Sequence, residues 1–444
     1  MWDSFIEAVT KINDWVNGVV WGWPMIIMIL GTGILLTIRT RLLQVRKFGE
    51  SMSSTIVPAV KDMGKKKDKK DKNSVSQFEA FSAAISGTVG TGNIIGVTSA
   101  ILTGGPGAVL WMWISAFFGM VTNYSENVLG LYYRKKEKDG SFSGGAFYYI
   151  AYGIKQRWLG MLAAIFCLLA AIGMSGVQTN KITGSYTAVL NNDSTAVKLI
   201  IGGIVAFFAA IVIIGGIKRI GRIASMLVPF MSLLFIAMAF VIIGKNHTAI
   251  PGTFRLIFTS AFSSKAVAGG VGGFAFSQII KKGLARGVFS NEAGLGSSVI
   301  AHSASETREP VKQGLWGIFE VFFDTFVICT LTALVILTTN IGSGAYENGS
   351  FFGTTNAAGD FVGASDSATA LGAFSSNLGT FGTVTFLIIL PLFAFTTVLA
   401  WSYYGEKAVD FCFRHMPEKK RKIPVMIFKI LFILLIVFSS LIGS

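Results

Sequence analysis

The stretch Ser86-Gly87-Thr88-Val89-Gly90-Thr91-Gly92-Asn93-Ile94-Ile95-Gly96 decides how this 444-residue chain folds. It places three glycines within residues 87–92, with hydroxyls and an amide between them. The segment around it, 78–103, is apolar and long enough to cross a hydrocarbon core. In lipid every backbone N–H and C=O needs a partner, so a stretch this prone to unwinding is tolerated only where it lines a cavity or buried protein. Close helix packing is the plainer reading, and Gly92 and Gly96 have the GxxxG spacing. Packing alone does not call for Thr88, Thr91 and Asn93 in the same stretch, because small apolar residues would serve it as well. That favours a cavity-lining break in a membrane helix.

The composition around the break agrees. Hydrophobic residues make up 52% of the chain and charged ones 14%, against roughly 25% charged in an ordinary soluble protein. The pattern argues for one membrane-embedded bundle, all α-helical. Ten apolar stretches are predicted to span: 21–38, 78–103, 106–133, 158–180, 198–217, 223–244, 266–284, 313–339, 380–404 and 424–443. The first is not a cleavable signal, since Asp3 and Glu7 precede it, Arg39 and Arg41 follow it, and no small-residue cleavage site closes it. Counted by alternate joints, 32 Lys and Arg fall on one side and six on the other. This predicts a cytoplasmic basic side, an amino terminus outside, and no role for nucleic acid in the net charge of +15. Residues 1–20 read as an interfacial amphipathic segment and 39–77 as a basic cytoplasmic loop, whose Lys65–Lys72 run faces anionic lipid head groups. The joint 340–379, free of Lys and Arg, reads as a vestibule cover or a tether. Cys167, Cys329 and Cys412 have no CxxC spacing and imply neither a disulfide framework nor a zinc site.

A second glycine-rich stretch, Ala268-Gly269-Gly270-Val271-Gly272-Gly273-Phe274, lies in the seventh span. Two interrupted helices five segments apart point to an inverted-repeat secondary transporter, with 78–244 as the first repeat and 245–444 as the second. A half-helix starting near Gly92 would present free N–H groups to a carboxylate, while unwound carbonyls and Thr hydroxyls suit Na⁺ or an ammonium group. A zwitterionic amino acid satisfies both.

The chain resembles the alanine or glycine:cation symporter family, the sodium:alanine symporters. The resemblance rests on Thr88–Ile94 with Gly104-Gly105-Pro106-Gly107-Ala108-Val109 and Trp111-Met112-Trp113, on Ser143–Tyr149, on Ala285–Gly296 and on Ala400–Glu406. It implies a LeuT-type five-plus-five inverted repeat with one extra N-terminal helix, and uptake of alanine or glycine with Na⁺ as coupling ion and no other cofactor. The expected location is a prokaryotic inner membrane. By the resemblance, Thr88, Gly90, Thr91, Gly92, Asn93 and Gln178 bind substrate and Phe274 and Phe276 wall its side chain. Thr88, Val89, Gly92, Thr396 and Thr397 hold Na⁺, and Trp401 belongs to the inner closure. The plainer alternatives are hydroxyls bonded to their own helix for Thr396 and Thr397, and ordinary packing for the two phenylalanines.

Buried carboxylates in spans usually mark function. Glu126, Glu320 and Asp324 are the candidates, and Glu320 and Asp324 share a helical face with no Lys or Arg in their span. They are expected to gate, protonated or paired with another helix, and they keep proton coupling open as the rival to sodium. Glu292, Arg286 and His302 are expected to anchor an inner gate or loop. A membrane enzyme is disfavoured, because the three His are scattered with no nucleophile or carboxylate cluster around them. A channel stays open until saturable, gradient-driven uptake is shown. One added helix plus two five-helix repeats requires eleven spans where ten are read, so a last core helix is expected to be missing and the chain to be an incomplete reading of a longer gene.

Overall fold

The computed structural model describes residues 2–62, 75–190, 192–262, 270–343, 353–355, 361–363 and 365–442. The chain opens with α1 (Trp2–Val20), α2 (Trp23–Arg39), a single turn α3 (Leu43–Arg46) and α4 (Phe48–Asp62). Next come α5 (Gln77–Thr88), a π-helical turn over Gly92–Gly96, α6 (Val97–Gly104) and α7 (Ala108–Tyr133). A small antiparallel hairpin, β1 (Lys135–Lys136) with β2 (Phe142–Ser143), leads to α8 (Ala146–Gly153), α9 (Arg157–Leu190), α10 (Thr195–Ile213) and α11 (Gly216–Lys245). The remainder holds α12 (Ile250–Ala261), α13 (Gly270–Asn291), α14 (Ser298–His302), α15 (Pro310–Val321), a π-helical stretch Phe322–Cys329 and α16 (Thr330–Gly342). Strands β3 (Gly353–Thr355) and β4 (Phe361–Gly363) pair antiparallel, and α17 (Asp366–Cys412) and α18 (Glu418–Ser439) follow.

Among the described residues seven helical stretches have the length and apolarity to cross a membrane, and α5 with α6, bent by 46°, makes an eighth. Two further long helices, α7 and α13, are more polar, with Asn123, Glu126 and Asn127 on one and Lys281, Lys282 and Arg286 on the other. Together they account for the ten expected stretches. The protein is a multi-pass membrane protein with a polar interior. Local signals set several starts. Ser76 and Glu79 form a reciprocal capping box at α5, Ser194 caps α10 and Ser365 caps α17. Pro stands in the first turn of α2, α12 and α15.

Several expectations need correction. Residues 39–77 are not one loop: α4 docks on the bundle, and Ser51 Oγ donates to the Leu315 carbonyl at 2.7 Å. The Lys65–Lys72 run lies outside the described residues. Helix α9 continues to Leu190, past the expected end near 180, and α17 begins at Asp366 and kinks at Gly379 (φ 58°, ψ −142°). Most of the 340–379 joint is therefore not a free tether.

Contacts sort the joints into two ends. At the basic end, Arg134 donates to the carbonyls of Ser303, Ser305 and Thr307, Val75 bridges Ser305, and Glu137 accepts from Arg414 and Arg421. At the other end Trp111 meets the Ala261 carbonyl, and Lys245 and Asn246 meet Asn377. Lys281, Lys282 and Arg286, counted with the basic side, lie in the opposite half. A Cβ at Gly104 would stand 2.9 Å from Lys282 Cβ, and Gly283 packs on the Ala108 backbone. The charge asymmetry then becomes 29 against nine and keeps its sign. The core holds large aromatics, with Phe81 on Trp316 at 4.6 Å and Phe235 edge-on to Phe393 at 5.9 Å between ring centroids.

Candidate functional site

The first interruption falls where the glycines stand. α5 ends at Thr88, and Val89 leaves helical geometry (φ −80°, ψ 90°). Side chains replace the missing helical bonds. Asn93 Oδ1 accepts from the Gly90 N–H at 2.8 Å, and Gln178 Oε1 on α9 accepts from the Thr91 N–H at 3.2 Å and its hydroxyl at 2.8 Å. Gly90 is required by space: a Cβ there would lie 2.4 Å from Thr397 Oγ1 and 3.3 Å from Gln178 Nε2.

The second interruption is not where it was expected. Ala268 and Gly269 lie outside the described residues, and from Gly270 onward the chain is continuous helix to Asn291. The break comes at 292–297, where Glu292 (φ 55°), Gly294 (φ 90°) and Gly296 (φ 71°) take left-handed conformations before α14 resumes. Carboxylates and an amide hold it. Asn291 Oδ1 accepts from the Ala293 N–H at 3.1 Å, and Glu126 on α7 accepts from the Gly294 N–H at 3.1 Å. Glu292 accepts from Trp401 Nε1 at 3.1 Å and Ser297 Oγ at 2.5 Å. A run of glycines such as 268–273 does not by itself mark a break, because helical glycine is tolerated wherever helices pack closely; the unwinding is where the backbone turns left-handed, at 292–296.

The two breaks face each other across a third irregularity, the π-helical stretch Phe322–Cys329. Such bulges often mark functional sites. Here Asp324 meets both broken helices. Its Oδ1 accepts from Asn93 Nδ2 at 2.5 Å, and its Oδ2 accepts from Ser290 Oγ at 2.8 Å and Thr325 Oγ1 at 2.9 Å. Asn93 Nδ2 also reaches Ser290 Oγ at 3.1 Å, and Asn291 Nδ2 donates to Thr325 Oγ1 at 3.1 Å. Asn93, Asp324 and Thr325 are 0% exposed and Ser290 1%. Among the described residues the carboxylate has these hydroxyl and amide partners and no cationic one.

The other anticipated residues sort by this geometry. Thr88 Oγ1 donates to the Ile85 carbonyl and Thr397 Oγ1 to Phe393 O, while Thr396 Oγ1 reaches Leu392 O and Phe393 O, so these hydroxyls bond their own helices. Thr397 nonetheless abuts Gly90 across the break. Gly92 touches the Phe289 ring. Phe276 sits fifteen residues before the end of α13, roughly 22 Å along a helix from Asn291, and cannot wall a substrate at Asn93. The side chain of Phe274 lies outside the described residues. Glu320 and Asp324, which share a helical face, have separate partners, and Glu320 pairs with another helix. Glu320 meets His302 Nε2 at 2.8 Å, and His302 Nδ1 meets Gln313 Nε2 at 2.7 Å, all fully buried. Trp401 and Glu292 tie α17 to the second break. Sequence reasoning missed Ser290, Asn291 and Thr325. The first two stand within the Ala285–Gly296 run, which span counting assigns to the cytoplasmic end and the structure puts at the second break, against Asp324 and Thr325.

The sequence profile of the sodium:alanine symporter family matches residues 6–444. The sodium/alanine symporter AgcS of Methanococcus maripaludis is 38% identical over 434 residues, 97% of this chain and 87% of that protein. The probable sodium/glutamine symporter GlnT of Bacillus subtilis is 35% identical over 424 residues, 95% of this chain and 80% of that protein. Among solved structures, MhsT in complex with L-phenylalanine superposes with a TM-score of 0.52 at 17% identity, covering 83% of this chain and 80% of that one. The likeness fixes the LeuT-type fold, and the match along the sequence fixes the kinship: the chain belongs to the sodium:alanine symporter family, whose members are amino-acid transporters.

Proposed function

We propose that the chain is a Na⁺-coupled symporter of alanine or glycine, working by alternating access in a prokaryotic inner membrane with its basic end in the cytoplasm and its amino terminus outside. The observation that carries this reading is Asp324. A carboxylate buried where two broken helices meet, ringed by Asn93, Ser290 and Thr325 and without a cationic partner among the described residues, offers hard oxygen ligands to a monovalent cation. The Gly90–Thr91 backbone, organised by Asn93 and Gln178, then receives the amino acid, with Thr88, Val89, Gly92, Thr396 and Thr397 as a second cation position across the same break. Glu320, with His302, and Trp401, with Glu292, would hold the inner side closed.

The five-plus-five inverted repeat belongs to this proposal. α5–α6 and α13–α14 interrupt in corresponding places and run in opposite directions, and lipid surrounds the assembly. AgcS is named for alanine and GlnT for glutamine, which keeps the substrate among neutral amino acids. Uptake of labelled alanine into proteoliposomes tests it. Accumulation that needs an inward Na⁺ gradient, saturates, and gains from an inside-negative potential is the expected result. Equal uptake in choline and sodium under a pH gradient would move the coupling to protons, the reading that the buried His302–Glu320 pair favours.

A further inference from the structure

Above the first break, at the end of the bundle opposite the basic joints, lies a cavity of about 560 Å³. Lys281, Lys282, Arg286 and Phe289 of α13 and Ser99 and Thr103 of α6 line it, and its lining contains no carboxylate. The guanidinium of Arg286 lies 5.2 Å from the Phe289 ring centroid and the Lys281 ammonium 5.5 Å from that of Trp23. Among the described residues none of the three cations has an ion-pair partner within 4 Å, and the Asp366 carboxylate, which acts on Arg286 from outside the lining, is itself paired with Lys181 at 3.3 Å. Arg286 rests on bare backbone, since a Cβ at Gly96 would stand 2.7 Å from its Nη1. The cavity also adjoins the site. Phe289 lines it and lies 3.7 Å from where a Cβ on Gly92 would be, and the next residue, Ser290, bonds Asp324.

Three like charges in one partly enclosed cavity raise each other's energy, and a small anion among them lowers it. A guanidinium beside two ammonium groups fits a planar oxyanion held two-pronged by the arginine. We propose that this cavity is an outer docking site for the carboxylate of the incoming amino acid. Arg286 makes the direct contact, Lys281 and Lys282 supply the attracting field, and release past Phe289 delivers the solute to the break. The inference rests on the transport reading above and adds to it a station with its own residues.

The test is initial-rate uptake of labelled alanine across a concentration series. The vesicles are phosphatidylethanolamine and phosphatidylcholine, with and without phosphatidylglycerol. Arg286→Gln is expected to raise the half-saturating concentration about tenfold with the maximal rate largely kept. Thr103, exposed on the cavity rim, supplies a pair that leaves Arg286 intact: Thr103→Glu should raise the half-saturation and Thr103→Lys lower it, each about threefold. A purely structural role would not move the two in opposite directions. If Arg286→Gln fails to fold, the Thr103 pair decides alone. Unchanged half-saturation in all the folded variants overturns the proposal. A shift seen only in phosphatidylglycerol vesicles also overturns it and gives the cavity to a lipid phosphate. If the wild-type chain takes up no alanine under a sodium gradient, the transport reading fails and this one with it. Normal wild-type uptake with unmoved variants sinks the docking site alone.

Discussion

Replacing Asp324 by Asn separates a cation site from a structural carboxylate. The Asp324 carboxylate accepts from Asn93, Ser290 and Thr325. Each such bond to a charged group contributes about 1.5–3 kcal/mol, against several kcal/mol for burying the charge. These terms nearly cancel, so Asp324→Asn in choline should melt close to the wild type. Sodium changes the comparison. A ligand that binds only the folded state at a hundred times its dissociation constant adds about 2.7 kcal/mol. With an unfolding entropy of about 2.1 cal/mol/K per residue, that is roughly 3 °C in a chain of this length. The wild type should gain this shift in sodium over choline at equal ionic strength, and Asp324→Asn should lose it. Intrinsic fluorescence melting of detergent-solubilised protein reads both. Retention of the full shift by Asp324→Asn would place the ion elsewhere, with Thr396 and Thr397 the next candidates, and no shift in the wild type would refute sodium binding at the breaks.

Three other changes follow from the same geometry. Gly90→Ala sets a methyl 2.4 Å from Thr397 Oγ1, so it should cost about 1–3 kcal/mol and abolish alanine binding, with partial recovery in Gly90→Ala/Thr397→Ala, read by melting and by equilibrium binding. His302→Ala leaves the buried Glu320 carboxylate without its partner and should cost about 3–5 kcal/mol, whereas Glu320→Gln should cost clearly less; equal melting of the two would show that the pair is not ionic in the folded protein. Burial works to raise the Glu137 carboxyl, but the hydrogen bond and charges of Arg414 and Arg421 outweigh it and hold the group below its ordinary value. Its contribution is therefore present at neutral pH and lost as pH falls below about 4, so Glu137→Gln should flatten the acid side of a melting-temperature profile.

How much of this was legible in the sequence depended on what each break looks like as letters. The first is written in glycine with polar side chains at the points of contact, and Asn93, Gln178 and Gly90 meet as their chemistry suggested. Apolar windows of about 19 residues located the ten long helical stretches because lipid imposes length and hydropathy on each. The second break is written with an acid. Glu292 follows a helix rich in small residues, and nothing in composition separates Gly294 and Gly296, which turn the chain, from Gly283 and Gly287, which only let α7 approach. The π-helical stretch at Asp324 has no local signature at all. It arises because Asp324 must reach Asn93 and Ser290 together, a tertiary demand that one-dimensional reading does not contain.

Glu292 shows what holds the second break open. A residue with a Cβ in left-handed geometry costs about 1–2 kcal/mol relative to glycine, and this position would read as an ideal glycine were backbone the only concern. The carboxylate accepts from Trp401 on α17 and from Ser297 at the entry to α14, and so ties both ends of the unwound segment to the long kinked helix. Without it the buried donors Trp401 Nε1 and Ser297 Oγ lose their acceptor, at about 1–3 kcal/mol each, which outweighs the backbone strain. Glu292→Gly should therefore lower the melting temperature although it relieves φ, by a net of about 1–4 kcal/mol. Glu292→Gln, which can still accept from Trp401 and donate to Ser297, should sit near the wild type. If Glu292→Gly proved the more stable protein, the strain would exceed the tie, and Trp401 would have no part in closing the inner side.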